Sequence, residues 1–440
     1  MVKIAKTLNA DLHIHSPHSI AVAKSLSLDT MIETSRKKGL HILGTGDILQ
    51  PEWLKYMENH LEKDKDGAYT YKGTHFILQT EIEDIESVHE VIFLNNFESV
   101  RELQNKLKPY SKNMMDEWGG RPRVNLSPPE IVDLVSDLGG LIGPAHAFTP
   151  FKAIFRQNKF KTLEECYQDN FKKINFLELG LSANTALADR LDCLKNITFL
   201  SNSDAHSQGP RSLGREFNKF EIESPTFEEI SFALQRKDSR RITLNVGLHP
   251  KLGKYYNMFC FKCRRRIIFK KGNQTSDIFL NQYSITDDFI NYTSNEPEKA
   301  MKQYINQVSK NKMVCPACKE EFSKNFKVKL GVSERIEVIS QYDKPKHPSH
   351  RPPYINAIPL FDIIRSIKGI KSSYSKTVLT AYNDIIEKLG FEYEILIDKS
   401  IEEINKIDEK AADVINALRN DEIEYSPGGG GTYGQIKLDL

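Results

Sequence analysis

Two short motifs, far apart in the chain, have the residue types and spacing of metal ligands. His13 and His15 stand one residue apart near the start of the chain, just after Asp11, and Asp204 and His206 stand one residue apart much later. In an extended strand, residues i and i+2 point to the same side. Two such pairs aimed at one point would supply four ligands. A single His-x-His pair arises by chance on many protein surfaces, so the prediction of a metal cluster depends on both motifs together.

Four more potential ligands lie between the two motifs, close to the ends of predicted strands: Asp47, Glu81, His89 and His146. Together with the two motifs, these imidazoles and carboxylates suit divalent zinc, manganese or iron. Apolar runs predict strands at 41–43, 76–81, 88–94, 141–146, 176–180 and 197–200.

The predicted strands alternate with helical stretches such as 28–38 and 129–138. This alternation favours parallel βα units. Ligands at the carboxyl ends of such strands are typical of a βα barrel, which builds its active site on that rim. The sequence therefore predicts an α/β fold with a metal centre at the strand ends.

The order His-x-His, Asp, Glu, His, His and Asp-x-His resembles that of the polymerase-and-histidinol-phosphatase (PHP) metallophosphoesterases over about the first 250 residues. Many PHP proteins carry a histidine where Asp47 stands here. Over nearly the whole chain, the sequence resembles the endonuclease Q family. The segments that carry this second resemblance are 9–17, 44–47, 180–184, the two cysteine pairs described below, 350–353 and 427–434.

The resemblance implies a distorted βα barrel of PHP type and an enzyme that nicks DNA. The family nicks on the 5′ side of a deaminated base, such as uracil, hypoxanthine or xanthine, or of an abasic site. The resemblance also implies a divalent cluster of zinc, manganese or magnesium that activates a water molecule. It assigns His13, His15, Glu81 and Asp204 to one ion, and Glu81, His89 and His146 to a second, with Glu81 bridging the two. Asp47 and His206 would serve a third ion or complete the cluster.

The same resemblance assigns catalytic roles to Asp204 and His206, and the sequence suggests one more residue. His18 is the nearest additional candidate for proton transfer or ligation. Its alternative interpretation is an exposed histidine in a turn.

Length and composition fit an intracellular enzyme. The 440 residues suffice for two or three domains. No stretch approaches 18 apolar residues, and residues 1–6 lack the apolar segment of a secretory signal, so we expect a cytoplasmic protein that does not span a membrane. The formal net charge is +2, but residues 251–330 hold 16 Lys and Arg against 7 Asp and Glu. Such a basic segment suits contact with nucleic-acid phosphates.

Four of the six cysteines form two Cys-x-x-Cys pairs, Cys260 with Cys263 and Cys315 with Cys318. Each pair can present two thiolates from one tight turn, so the two pairs predict one structural zinc ion. The alternatives are disulfides or redox pairs, and the lack of a secretion signal disfavours disulfides. The two remaining cysteines, at 166 and 193, are interpreted as ordinary semi-buried thiols.

Several cations and glycines are candidates for contact with DNA. Arg264 and Arg265 follow the first cysteine pair, among lysines and aromatic residues, where the alternative is a solvated charged turn. Gly429 and Gly430 belong to a run of four glycines that could bring backbone amides against a phosphate or form a flexible C-terminal turn. Two further arginines could bind phosphate through their planar fork: Arg211 and Arg351.

Ser182 and Asn184 follow a predicted strand and open a predicted helix. As a hypothesis, this helix start reads the carbonyl group that deamination creates on an extruded base. The alternative is an ordinary N-cap.

The chain is predicted to contain three domains: a metal-bearing domain at 1–250, a zinc-binding domain with four cysteine ligands at 251–333 and a mainly helical domain at 334–440 with the glycine-rich loop. Within the second, 273–306 is interpreted as a loop-rich insert and 326–332 as a closing strand. Helices are predicted at 358–367, 375–389 and 411–418, and a strand at 435–438.

Two other functions would use only part of the chain. A small-molecule phosphatase of the same metal class would leave the zinc domain without a role. A non-catalytic, zinc-stabilised DNA-binding protein would make the ligand set a coincidence. Recruitment by a sliding clamp is left open.

Overall fold

The computed structural model describes residues 5–20, 22–23, 26–207, 209–272, 282–310, 313–321, 328–372 and 375–437. The first part of the chain forms a mixed α/β unit. Its strands are β1 (Lys6–Asp11), β2 (Ile42–Gly44), β3 (Glu62–Lys63), β4 (Tyr69–Tyr71), β5 (Thr74–Glu83), β6 (His89–Leu94), β7 (Leu141–Pro144), β8 (Phe176–Glu178), β9 (Thr198–Leu200), β10 (Phe217–Ile222) and β11 (Arg241–Gly247). Its helices are α1 (Leu28–Lys38), α2 (Pro51–His60), α3 (Phe97–Leu107), α4 (Pro128–Asp137), α5 (Leu163–Tyr167), α6 (Thr185–Ala188) and α7 (Phe227–Gln235).

Local signals explain where these helices begin and end. Helix α1 starts at a capping box between Ser27 and Thr30, and it ends at Gly39, whose φ of 83° closes the last turn. Helix α4 begins with a second capping box, between Ser127 and Glu130, followed by a proline in its first turn. The predicted helices at 28–38 and 129–138 are therefore confirmed.

Strand direction differs from the prediction of parallel βα units. Strands β1, β2 and β5 are parallel, and so are β8 and β9. Strands β6 and β7, however, continue the sheet antiparallel from β5, and β10 and β11 continue it antiparallel from β1. The physical reason at β6 is the short link from β5, closed by Asp84, which accepts the Val88 amide on its side chain. A parallel crossover needs a much longer connection.

The cysteine-bearing segment has a sheet and a core of its own. It contains β12 (Phe259–Cys260), β13 (Arg266–Lys271), β14 (Tyr283–Ile285), β15 (Phe289–Ser294), α8 (Pro297–Ser309) and β16 (Val328–Lys329). The prediction of a loop-rich insert at 273–306 is wrong over most of that range, because the apolar face of α8, with Ala300 and Tyr304, packs on this sheet. Residues 273–281 lie outside the described residues, as do residues 326 and 327 of the predicted closing strand.

The rest of the chain is mainly helical, as predicted, and it is joined to the first part. Its elements are α9 (Val332–Ile339), β17 (Tyr354–Asn356), α10 (Leu360–Ile367), α11 (Lys376–Leu389), α12 (Ile401–Asn405), α13 (Glu409–Arg419), β18 (Glu424–Ser426) and β19 (Gln435–Lys437). Strand β17 pairs with β11, at one end of the ten-stranded sheet. One apolar core contains residues from both parts, such as Met31, Phe217 and Leu360. The predicted boundary near residue 334 is therefore bridged by a shared sheet and core.

Two further contacts fix the C-terminal helices on the metal-bearing part. Lys38 at the end of α1 lies 2.7 Å from Glu392, and both side chains are fully buried. The Tyr382 hydroxyl also donates to Glu392, at 2.8 Å. Within the described residues, no helix is long and apolar enough to cross a membrane.

Candidate metal centre

The fold brings the predicted ligands from five places in the chain to one edge of the sheet. His13 and His15 follow β1, Glu81 lies on β5, His89 begins β6, His146 follows β7, and Asp204 and His206 follow β9. Their ligand atoms form three overlapping groups, each compact enough for one ion: His13, His15 and Glu81; His15, Asp204 and His206; Glu81, His89 and His146. The geometry thus supports the prediction of a cluster.

Glu81 lies at the centre of the cluster. Its Oε1 is 2.8 Å from His89 Nδ1 and 3.1 Å from His146 Nε2. Its Oε2 is 3.5 Å from His15 Nε2. The two carboxylate oxygens therefore face different imidazoles, Oε1 those of His89 and His146 and Oε2 that of His15, which is the arrangement that a bridging carboxylate needs.

Asp204 lies beside the two histidines that follow β1. Its Oδ1 is 3.1 Å from His15 Nε2 and 3.9 Å from His13 Nε2, and His206 Nδ1 lies 3.7 Å away. The loop that carries Asp204 is held in place by Asp11, whose carboxylate accepts the backbone amides of Ser203 and Gly214. Asp11 thus anchors the ligand loop.

Buried carboxylates behind the histidines orient the rings. Glu178 Oε2 is 2.7 Å from His13 Nδ1, and both side chains are fully buried. Asp47 Oδ1 is 3.0 Å from His15 Nδ1 in the same manner. A carboxylate at one ring nitrogen fixes the ring so that the other nitrogen is available to a metal ion.

The role predicted for Asp47 is therefore revised. Its second oxygen accepts hydrogen bonds from the backbone amide and hydroxyl of Ser16, at 2.7 and 2.8 Å. Both oxygens are thus occupied by protein groups, and Asp47 belongs to none of the three ligand groups. Asp47 is a positioning residue for His15 rather than a metal ligand.

The residues present fit a divalent metal ion. His13 Nε2 is buried in the cluster without a hydrogen-bond partner in the described residues. An unpaired buried ring nitrogen would be costly in a purely structural histidine, since a buried polar atom needs a partner. With Nδ1 held by Glu178, Nε2 of His13 is placed to bind an ion.

The electrostatics of the cluster also suit a cation. Burial raises the pKa of Glu81 and of Asp204, but the surrounding histidines, together with Arg121 beside Glu81, outweigh it and hold both well below the ordinary value. Burial lowers the pKa of His15, yet Asp47, Asp204 and Glu81 raise it to about 10. The carboxylates therefore attract positive charge, which protons supply here and metal ions would supply in their place.

Backbone strain coincides with the site. Asp47, His146 and Asp204 adopt φ values of 42°, 30° and 48°, in the region that non-glycine residues rarely occupy. Close packing supports one of them: a Cβ atom at Gly180 would lie 2.8 Å from the Cβ of His146. Three of the non-glycine residues with positive φ in the described chain therefore lie at this centre.

Two site residues were missed by reasoning from the sequence. Glu178 was placed in a predicted strand without a role, although a carboxylate in the apolar run Phe176 to Leu179 is itself unusual. Arg121 donates from Nη1 to Glu81 Oε2 at 2.9 Å, and its side chain is 28% exposed. No local pattern marks Arg121, because its partner lies 40 residues earlier.

The catalytic candidate His18 lies outside the three ligand groups. Its Nδ1 contacts the backbone carbonyl of Glu117 at 3.0 Å, and its ring lies beside Trp53. These contacts favour the alternative interpretation, a turn histidine.

The four paired cysteines converge as predicted. Cys260 Sγ lies 3.7 Å from Cys318 Sγ, and Cys263 Sγ lies 3.9 Å from Cys315 Sγ. A tetrahedron with Zn–S bonds of about 2.3 Å has sulfur–sulfur edges of about 3.8 Å, whereas a disulfide bond is about 2.05 Å. The described cysteines are all free thiols, and their spacing is compatible with one tetrahedral metal ion.

The arginines beside the zinc site form an exposed aromatic and cationic surface. Arg264 is exposed, with its guanidinium 4.6 Å from the ring centre of Phe261. Phe151, five residues after the ligand His146, lies 6.4 Å from the same ring and 5.6 Å from that of Tyr255. Arg265 is half-buried and donates to the carbonyl of residue 286. Phe151, Tyr255, Phe261 and Arg264 are called the zinc-domain surface below.

Arg351 has a different role from the predicted one. Its side chain is 1% exposed and binds Asp189, with Nη2 to Oδ1 at 2.8 Å. It also donates to the carbonyl groups of Ile197 and Leu194. With its nitrogens used inside the protein, Arg351 joins the C-terminal part to the segment before β9, and the prediction of DNA contact is corrected.

The glycine-rich loop is likewise packed against protein. The amide of Gly429 donates to the carbonyl of Thr432, and Gly428 donates to Lys251. A Cβ atom at Gly430 would lie 2.3 Å from the carbonyl oxygen of Arg264. The glycines at 429 and 430 therefore permit close backbone contact with the zinc domain, which replaces the predicted phosphate cradle.

The proposed base-reading residues are also structural. Ser182 is 2% exposed, and its hydroxyl accepts the Tyr255 amide at 3.3 Å. Asn184 accepts the Leu187 amide and caps α6, a helix of only four residues. These contacts favour the N-cap alternative. Arg211, by contrast, is partly exposed and pairs with Asp362 through Nε at 2.7 Å.

A mixed α/β sheet with histidines and carboxylates clustered at its strand ends defines a metal-dependent hydrolase. Comparison with known proteins narrows this class. Residues 359–422 match the family model of the MJ0043 C-terminal domain. The chain is 36% identical over 298 residues to protein MJ0043 of Methanocaldococcus jannaschii; this match covers 67% of the chain but only 31% of MJ0043. The chain thus spans about a third of that relative.

Two crystal structures resemble the entire chain. One is the lesion-specific endonuclease PfuEndoQ of Pyrococcus furiosus, with 37% identity, a TM-score of 0.81 and coverage of 98% of this chain and 96% of that one. The other is endonuclease Q in complex with a 27-mer duplex substrate with an abasic lesion at the active site. It shows 36% identity, a TM-score of 0.83 and coverage of 98% and 97%. The chain belongs to the endonuclease Q family, which confirms the predicted resemblance.

Proposed function

We propose that this protein is a metal-dependent DNA repair endonuclease that hydrolyses the phosphodiester bond on the 5′ side of deaminated bases or abasic sites. The metal cluster is the observation that carries the proposal. Its support is the similarity, over almost the whole chain, to an endonuclease Q bound to a duplex with an abasic lesion at the active site. A cytoplasmic location and recruitment by a sliding clamp remain predictions.

Solvent reaches the ligands mainly at Asp204 and His206. His13, His15 and Glu81 are fully buried, whereas the side chains of Asp204 and His206 are 27% and 32% exposed. A phosphodiester must therefore approach over this exposed rim. When bound, a divalent cluster of zinc, manganese or magnesium supplies an activated water and stabilises charge on the phosphate.

Two residues of the chain can assist this hydrolysis. Arg121, whose side chain is 28% exposed, presents a guanidinium that Glu81 holds in place and that can contact a phosphate oxygen. Burial lowers the pKa of His206 to about 4, so its imidazole is neutral near pH 7 and can bind an ion or accept a proton.

The zinc-domain surface lies close to the ligand His146, because Phe151 belongs to the segment that follows it. Aromatic faces of this kind stack on unpaired bases, and Arg264 supplies positive charge for the backbone. We infer that it holds nucleotides beside the lesion.

The test is a nicking assay on matched duplexes. Substrates carry uracil, hypoxanthine, an abasic site or no lesion, each with and without a chelator. The wild type should nick only the lesion-bearing strands on the 5′ side, and chelation should stop it. Asp204→Ala should abolish nicking and retain DNA binding, while Asp413→Ala, at an exposed position on α13, should behave as the wild type.

Two outcomes would contradict the proposal. Hydrolysis of a small phosphomonoester without nicking would indicate a phosphatase. Binding of lesion duplexes by the metal-loaded wild type without any nick would indicate a DNA-binding protein.

A further inference from the structure

A pocket of about 970 Å³ lies beside the open rim of the metal cluster. It begins at Ser207, next to the ligand His206, and extends to α10 and to the glycine-rich loop. Its walls thus come from the ligand loop and from the C-terminal part of the chain. No role described so far uses this pocket.

The pocket is strongly basic. Arg211, Arg215, Arg365 and Lys371 line it, against a single carboxylate, that of Asp362. Asp362 Oδ1 accepts from Nε of Arg211 at 2.7 Å and from Nε of Arg365 at 3.0 Å. One carboxylate therefore orders two guanidinium groups. The positive charge of these two groups and of Lys371 exceeds the single negative charge of Asp362.

Arg215 adds a further positive charge to the lining of the pocket. The guanidinium of arginine is always protonated in proteins, so Arg215 carries a full positive charge. It donates to the Ser203 carbonyl and to the Tyr433 hydroxyl. The remaining lining is mixed: it includes hydroxyl groups from Ser212 and Thr432, which commonly bind phosphate oxygens, and apolar side chains such as Leu248 and Ile358.

The pocket lies within reach of the reacting phosphate. Arg211 is five residues from His206, and five residues span at most about 18 Å. Each nucleotide of a duplex strand advances about 3.4 Å along the helix axis, so a phosphate beside Arg211 would be about five nucleotides or fewer from the scissile bond.

We propose that this pocket binds a backbone phosphodiester of the DNA strand that flanks the scissile bond, with Arg365 and Lys371 of the C-terminal part as its contacts. The inference rests on the proposed endonuclease function and deepens it. It gives the C-terminal part a direct role in holding the substrate, in addition to packing on the sheet.

The test compares Arg365→Ala and Lys371→Ala with Lys368→Ala, a control at an exposed lysine of the same segment that does not line the pocket. Affinity for an abasic duplex is measured over a salt series, in a background that carries Asp204→Ala to prevent cleavage. Each lost phosphate contact should make the slope of log affinity against log salt less steep by about 0.9. If variant and wild type bind equally well at 1 M salt, the variant should therefore bind about eightfold more weakly than the wild type at 0.1 M salt. Lys368→Ala should leave the slope unchanged, and the melting temperatures should match.

A second measurement identifies the source of the phosphate. Inorganic phosphate is titrated against nicking by the otherwise wild-type enzyme and by the two pocket variants. Weaker inhibition of the variants together with a smaller DNA slope supports the proposal. Altered inhibition with an unchanged DNA slope would show a site for free phosphate and overturn it, as would unchanged behaviour in both measurements. Either result leaves wild-type nicking intact, whereas a wild type that does not nick would contradict the proposed function itself.

Discussion

Replacing Glu178 with glutamine should weaken metal binding although Glu178 is outside the ligand groups. Its Oε2 lies 2.7 Å from His13 Nδ1 and also accepts from the side-chain amide of Asn202 at 3.3 Å. Glutamine has nearly the same shape, so Glu178→Gln removes the negative charge behind His13 without opening a cavity. The change therefore isolates the orienting and charge effects of the carboxylate.

The expected magnitude follows from the geometry. Loss of a partner that orients a metal-ligating histidine typically costs 10- to 100-fold in metal affinity, which is about 1.4–2.7 kcal/mol. The lower limit applies if the glutamine oxygen still accepts from His13 Nδ1. The upper limit applies if the amide turns and leaves this nitrogen without an acceptor.

The matched control is Glu216→Gln. Glu216 is also fully buried, and its Oε1 accepts the Leu248 amide at 2.9 Å, away from the ligands. Burial raises the pKa of Glu216 well above its ordinary value and so favours its neutral form, which glutamine resembles. We expect its metal affinity to stay within about twofold of the wild type.

Titration calorimetry of metal-stripped protein, with the zinc domain still loaded, measures the affinity. Metal analysis confirms that the cysteine site keeps its ion. Wild-type affinity in Glu178→Gln would refute the orienting role. An equal loss in Glu216→Gln would show that removal of any buried carboxylate has this effect, and it would refute the specific argument for His13.

The remaining predictions concern stability. Cys315→Ser should lose one zinc ion and lower the melting temperature, whereas Cys193→Ser should keep the zinc; equal metal content and melting in both would contradict the zinc site. Lys38→Met leaves the buried carboxylate of Glu392 without its cation and should lower the free energy of unfolding by about 3–5 kcal/mol in chemical denaturation, so an unchanged midpoint would contradict it. Burial raises the pKa of Glu334 from 4.5 to about 7, so the folded state binds this proton more tightly than the unfolded state. The free energy of unfolding should therefore fall by about 3 kcal/mol as the pH rises from 4.5 to above 7, and Glu334→Gln should remove this component of the pH profile.

The ligands were predictable because their signals are local. Apolar runs place Glu81 and His146 at the ends of buried strands, and the spacing of His13 and His15 directs both to one side. Such patterns follow from the regular period at which side chains face one side of a strand or helix, and this period can be read from the sequence. The direction of the strands could not be predicted in this way, because the apolar composition of β6 and β7 does not depend on whether they run parallel or antiparallel.

The errors about DNA contacts have one physical cause. The sequence shows which groups a cation or a glycine could contact, but not which group contacts it in the folded protein. Arg351 is a plausible phosphate ligand until Asp189, 162 residues earlier, occupies its guanidinium. The Asp47 carboxylate is a plausible metal ligand until His15 and Ser16 occupy its oxygens. Long-range packing decides these cases.

The glycine-rich loop shows how such packing can still serve the metal centre. A Cβ atom at Gly428 would lie 2.3 Å from the carbonyl oxygen of Gly253, so the loop can dock only because side chains are absent there. Docking places Tyr433 where its hydroxyl accepts from Nη1 of Arg215, at 2.9 Å. Arg215 in turn holds the carbonyl of Ser203, the residue before the ligand Asp204. The C-terminal loop thus supports a metal ligand more than 200 residues away through two hydrogen-bonded side chains, a role that a sequence motif for phosphate binding could not have revealed.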